Sequence, residues 1–432
     1  MKRNNNRKAP FAFPAVMLAL VLALSLAGCS SSGGSKEEQS ETAAASSAVS
    51  EAVSESKEAE AVSEASSADE TITIVDLAGR TVTFDHPVTK FIDQGSGSGG
   101  AFFTAAAILG DDLCDYLVGW DNGIVKWRTD FYNHFVVEMP ELANVSMVGG
   151  ITGDDFDLEA VLVSGAECMF MPQGTFKSVE DTVAKKLEEA GIQIVVLNFQ
   201  AQTYETHMQC IDIIGKVLGR EEKAQEIMDF YTEAVKGIYD KVDDLLAAND
   251  GVRPVVYGEY GKNDDGPLVS YATSWTNQVQ WGGIIWSLGG TSLAGDTGAD
   301  GNNPKVDPEY VLSSDPDMIF ISAVSPSSPE ESVSVGGSIY VGFDVTPEAI
   351  EANRQLYLQR PGWSELKAVK EGRVYVLPHP IHREVFDASS IQAMAKLLWP
   401  DEFGDLEPVK TFEAFWDKFM PFTLTGTWYC EN

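Results

Sequence analysis

Hydrophobic and polar positions change their rhythm at about residue 70. Beyond it, 72–76 and 81–84 alternate β-branched and polar residues around the turn Leu77-Ala78-Gly79-Arg80, which predicts a hairpin. A short buried strand is predicted at 90–93, followed by Gly95-Ser96-Gly97-Ser98-Gly99-Gly100 and a helical run opening at Ala101. Strands are then predicted at 116–119, 168–171 and 192–197, with helices at 158–164 and 179–190. The second half repeats this rhythm, with strands at 254–257, 318–321 and 373–377 and helices at 277–288 and 307–312. Strands alternating with helices predict an α/β fold with largely parallel sheets.

Between the halves lies the longest helical pattern. His207, Ile211, Ile214 and Leu218, then Ala224, Ile227, Tyr231, Val235, Ile238, Val242 and Leu245, fall in steps of three and four. Gly219 ends the first helix, and Glu221-Glu222 suit the start of a second over 221–248. At 1.5 Å per residue the second would be about 42 Å long. The expected architecture is two Rossmann-like lobes, 71–205 and 251–432 with closing helices, joined by connecting helices at 206–250. The long helix would be rigid, and a ligand cleft would lie between the lobes.

The first 70 residues have no such rhythm. Lys2, Arg3, Arg7 and Lys8 precede an apolar run from Phe11 to Leu26, closed by Leu26-Ala27-Gly28-Cys29. This reads as a signal peptide over 1–28, too short to span a bilayer. Cys after Leu-Ala-Gly resembles the bacterial lipobox, which implies acylation of Cys29 and an anchor at the extracytoplasmic face of the cell membrane. Residues 30–70 contain no aromatic, Leu, Ile or Pro, and ten acids against Lys36 and Lys57. The stretch 29–70 is therefore expected to be a disordered tether.

The formal charge of the chain is −35. Loss of 1–28 with its four basic residues leaves −39. Such a surface repels phosphate backbones, so nucleic acid is not an expected partner. Cys114, Cys168, Cys210 and Cys430 form no CxxC and read as single thiols in a domain large enough to rely on its core. No G-x-S-x-G elbow, HExxH or P-loop is present, so an enzyme is not expected.

Several segments together resemble the periplasmic-binding-protein family that carries iron–siderophores, haem and cobalamin to ABC importers. They are the hairpin 72–84; Phe156-Asp157-Leu158-Glu159-Ala160-Val161 before the strand at 168; Val306-Asp307-Pro308-Glu309-Tyr310-Val311-Leu312 before Asp315-Pro316-Asp317-Met318; and 363–376. They cover 71 to about 400. The resemblance implies a monomeric solute-binding lipoprotein with no cofactor, whose ligand is a metal chelate, foremost an iron–siderophore. A carrier of free metal ions or another small solute is the alternative. It also implies that Glu159 and Glu309, one per lobe, dock on permease subunits. Stabilisation of a helix start explains the same two residues. Ala166-Glu167 departs from the family's usual Pro-Asp.

Ligand residues are expected at the carboxyl ends of strands. That places Ser96 and Ser98 of the glycine loop at the cleft, with Trp120, Trp127, Arg128 and Tyr132 after the strand at 116–119. Tyr260, Trp275, His379, His382 and Arg383 face them from the other lobe. Aromatic faces and cations suit a planar or anionic chelate, while core packing or a plain turn explains any one of them as well. Pro380 argues against a helix that would turn His379 and His382 toward one metal.

Overall fold

A computed structural model describes residues 71–263, 265–268, 270–296 and 303–430. The signal segment, Cys29 and the tether lie outside the described residues.

The described residues form eleven strands, β1 (Ile72–Val75), β2 (Thr81–Phe84), β3 (Phe91–Asp93), β4 (Leu117–Trp120), β5 (Ser146–Met147), β6 (Cys168–Pro172), β7 (Gln193–Leu197), β8 (Val255–Tyr260), β9 (Thr291–Ser292), β10 (Met318–Ala323) and β11 (Val374–Pro378). The pair β1–β2 is the predicted antiparallel hairpin, with Ile72 opposite Phe84. The other strands form two parallel sheets, ordered β5-β4-β3-β6-β7 and β11-β10-β8-β9. The central strands β6 and β10 are buried at every position. Parallel sheets covered on both faces need such continuous apolar runs. Alternate residues serve opposite faces: Phe170 and Val195 join one core cluster of the first sheet, Met169, Met171 and Ile194 the other. In the second sheet Phe320 and Ile321 divide in the same way.

Strand order reverses direction beside β3 in the first sheet and beside β8 in the second. Crevices open at the carboxyl ends of strands at such points. The glycine loop follows β3, and Tyr260 ends β8.

Two expectations need correction. The helix predicted over 221–248 is two helices, Glu221–Tyr239 and Val242–Ala248. At the break, Lys241 N–H donates three residues back, to the Ile238 carbonyl at 3.1 Å, and the Lys241 ammonium pairs with Glu402. The first piece is about 28 Å long at 1.5 Å per residue, yet it touches both lobes: Ala224 and Ile227 enter the core of the first, Tyr231, Val235 and Ile238 that of the second. The closing segment also divides differently from the expected 251–432. Helix Pro408–Phe419 lays Phe412, Phe415, Trp416 and Phe419 into the first lobe's core, joined by Trp428. Smaller shifts are a helix that starts at Gln173 instead of 179 and passes through a π-helical turn at Glu180–Ala184. Cys168 and Cys210 are buried thiols whose ionisation burial disfavours. No helix among the described residues is long and apolar enough to cross a membrane.

Candidate functional site: a cavity between the two sheets

A cavity of about 430 Å³ opens where the carboxyl ends of the two sheets meet. The first lobe contributes Gly97, Ser98, Trp127 and Arg128. The second contributes Tyr260, Thr273, Trp275, Gln280, Asn303, Val324, Ser325, His379, Pro380 and Arg383.

On the first-lobe side the chain must pass tightly. A Cβ on Gly97 would lie 2.7 Å from the backbone of Gly123, so only glycine permits this approach of the loop to the next helix start. Arg128 is buried beside it. Its Nε donates to the Gly97 carbonyl at 2.9 Å, one terminal nitrogen donates to the Pro380 carbonyl, and the other to Glu384 Oε1 at 2.6 Å. Glu384 also accepts from Gly99 N–H at 3.2 Å. The Arg128–Glu384 pair is nearly sealed from solvent, with side chains 3% and 2% exposed. Burial raises the Glu384 carboxyl to about 7, against the opposing pull of Arg128.

Arg383 is held differently. Its backbone has φ +66°, a left-handed conformation that costs a non-glycine residue energy. Its buried Nε has no hydrogen-bond partner, and it forms no ion pair among the described residues. Burial, reinforced by Arg128, lowers its pKa to about 10. Ser98 Oγ and Ser325 Oγ, from opposite lobes, are also buried without partners. Buried polar atoms are rarely left unpaired. Three such atoms line this one cavity.

The second-lobe wall is aromatic. Trp275 stacks on Phe320, with ring centres 6.0 Å apart, and faces His379 at 6.1 Å; Tyr260 meets His379 edge-on at 5.0 Å. His379 Nδ1 accepts from the Trp281 indole N–H at 3.2 Å and lies 2.8 Å from Ser322 Oγ. An indole nitrogen only donates, so the proton of neutral His379 sits on Nε2. Burial, then Arg383 and Arg128, push its pKa well below the usual value. His379 is thus a neutral N–H donor at the cavity, with no ring lone pair left for a metal.

Of the eleven predicted ligand residues, Ser98, Trp127, Arg128, Tyr260, Trp275, His379 and Arg383 line the cavity. Four do not. Ser96 turns inward, donating to Asp121 and accepting from Ile124 N–H at 3.0 Å. Trp120 is fully buried in the first core against Phe102 and Tyr132, and Tyr132 lies one helical turn beyond Arg128, packed on the same core. His382 stacks on Trp281 at 5.1 Å and donates to the His379 carbonyl, away from the lining. Glu384 was not predicted. Its only sequence signal is an acid directly following Arg383. Glu159 and Glu309 are both exposed, each two residues after an aspartate that caps its helix. Asp157 accepts from Ala160 N–H, and Asp307 from Glu309 and Tyr310 N–H.

Comparison with known proteins agrees with this architecture. The periplasmic binding protein family profile matches residues 173–380. The TroA-like periplasmic binding protein FepB from Veillonella parvula is 35% identical, with a TM-score of 0.76, and the match covers 83% of this chain and 99% of that one. Two more distant structures share the fold. Helicobacter pylori CeuE in a Ni–His complex is 17% identical (TM-score 0.53; 82% and 97% covered), and Haemophilus influenzae MolA bound to molybdate is 17% identical (TM-score 0.51; 82% and 99% covered). No curated protein matches the sequence.

The chain therefore belongs to the periplasmic binding protein family, the substrate-binding components of ABC transporters. It is an extracytoplasmic binding protein for transport and not an enzyme.

Proposed function

We propose that the cavity captures an anionic metal chelate, an iron–siderophore complex, and that the protein, tethered through an acylated Cys29, delivers it as a monomer to an ABC importer. The observation that carries this reading is the buried Nε of Arg383, which has no hydrogen-bond partner, with Ser98 Oγ and Ser325 Oγ unpaired in the same cavity. Trp127, Tyr260 and Trp275 supply flat apolar faces for the body of a chelate. A bare cation fits poorly. It would face two guanidinium groups, the only carboxylate beside them is taken by Arg128, and His379 presents a donor. Exposed Glu159 and Glu309 remain available to arginines of the permease, since Asp157 and Asp307 already cap their helices.

Titration of the full chain with ferric catecholate, ferric hydroxamate, haem, cobalamin and free divalent metal, read by tryptophan fluorescence, tests the reading. Saturable quenching by a ferric chelate, lost in Arg383→Ala, is expected. Tight binding of a free cation, or chelate binding indifferent to Arg383→Ala, would overturn it. Cys29→Ala is expected to release the protein from membranes. Glu159→Ala with Glu309→Ala is expected to abolish uptake at unchanged ligand affinity.

A further inference from the structure

A second polar cluster joins the lobes outside the cavity. Asp130 begins the helix Thr129–Glu138, His134 lies one turn along it, and Asp344 belongs to the segment that enters from the second lobe after β10. None of the three lines the cavity. One donor atom from each lies within 4.8 Å of the others.

The cluster is built rather than loosely gathered. The Asp130 side chain is only 5% exposed. Its Oδ2 accepts from Phe343 N–H at 2.9 Å. Gly342 makes room for this carboxylate, because a Cβ there would stand 2.0 Å from Oδ2. The other oxygen, Oδ1, has no hydrogen bond among the described residues and faces His134 Nδ1 at 3.7 Å. The imidazole is fixed by stacking on Phe343, with ring centres 4.0 Å apart, and by Nδ1 donating to the Asp130 carbonyl at 3.1 Å, which leaves the ring's lone pair on Nε2 as the metal-ligating atom. Asp344 is exposed, which leaves a path from solvent. A carboxylate oxygen with no hydrogen bond among the described residues, on a side chain only 5% exposed, beside an oriented imidazole and a second carboxylate, is an arrangement a cation can complete.

We propose that Asp130, His134 and Asp344 bind a divalent transition cation of the zinc or manganese type, which ties the first lobe's helix to the second lobe's 342–344 segment. Two oxygens and one nitrogen suit zinc or manganese, with water in the remaining positions. Calcium requires more oxygens. The site is independent of the chelate cavity, so its failure and that of the chelate reading are separable.

Calorimetric titration of the full chain, free of any histidine tag and of ligand, with zinc chloride and manganese chloride tests the proposal. One saturable site is expected for at least one of the two ions, accompanied by a rise in Tm. Asp344→Ala, at an exposed position, is expected to weaken binding at least ten-fold while leaving the metal-free Tm unchanged. His134→Ala is expected to do the same to binding. Absence of a saturable site for both ions, or wild-type affinity in both variants, would overturn the proposal.

Discussion

The two arginines at the cavity belong to opposite lobes and are treated in opposite ways. Arg128 spends its donors on the Gly97 and Pro380 carbonyls and on Glu384. Arg383, from a left-handed backbone, leaves Nε unpaired and forms no ion pair among the described residues, although Glu384 attracts its charge from the next position. One guanidinium holds the cleft's floor together across the lobes, and the other is the one we propose for the ligand. On that proposal, two like residues lining one cavity separate into a fold-holding and a ligand-holding role by their partners alone.

The comparison predicts that stability and affinity respond to different arginines. The largest effect is expected from Arg128→Ala, which strands Glu384 in the interior. A buried pair broken in this way costs about 3–5 kcal/mol. The loss should shrink as pH falls through about 7, because Glu384, raised to about 7 by burial even with Arg128 beside it, takes up a proton more readily once that guanidinium is gone. Chemical denaturation at pH 8 and pH 6 measures it. Arg383→Ala should leave stability unchanged or higher, since it removes a buried charge that forms no ion pair among the described residues, and should weaken the ferric chelate about 100-fold, or about 2.7 kcal/mol. If both variants lost stability and affinity equally, the distinction would disappear.

A subtler effect concerns Glu384 itself. Its protonation frees the charge of Arg128 to act on an anion, so wild-type affinity should tighten a few-fold from pH 8 to pH 6. Glu384→Gln should flatten that profile, and a slope retained in this variant would assign the pH dependence to another group. The smallest effect is expected at Trp127, which is 61% exposed at the rim under Lys126. Trp127→Ala should cost about 1 kcal/mol of affinity, measured by the same titration.

Order and type of most elements were legible because parallel strands buried on both faces leave unmistakable apolar runs, as in β6 and β10. The end of the sheets that carries the site was legible too. Which residues at that end face the cavity was not. Trp120, expected just after the strand, is the last residue of β4, and its ring faces the core, because neighbouring strand positions point to opposite sides. Ser96 and Ser98 differ in the same manner, one closing a helix start and the other opening on the cavity. The break at 240–241 escaped notice because Val242 and Leu245 continue the apolar spacing, which reports a helix face and not an unbroken axis. Glu384 was missed because its role depends on Arg128, far away in sequence.

The return of helix Pro408–Phe419 to the first lobe has a consequence for the order in which the protein can be made. A chain synthesised from its amino end presents the first sheet early. That sheet's core is then incomplete until Phe412, Phe415, Trp416, Phe419 and Trp428 join it. The earlier part of the polypeptide cannot finish its core while the last residues are still to be added. Chain termination and completion of the first core become nearly the same event.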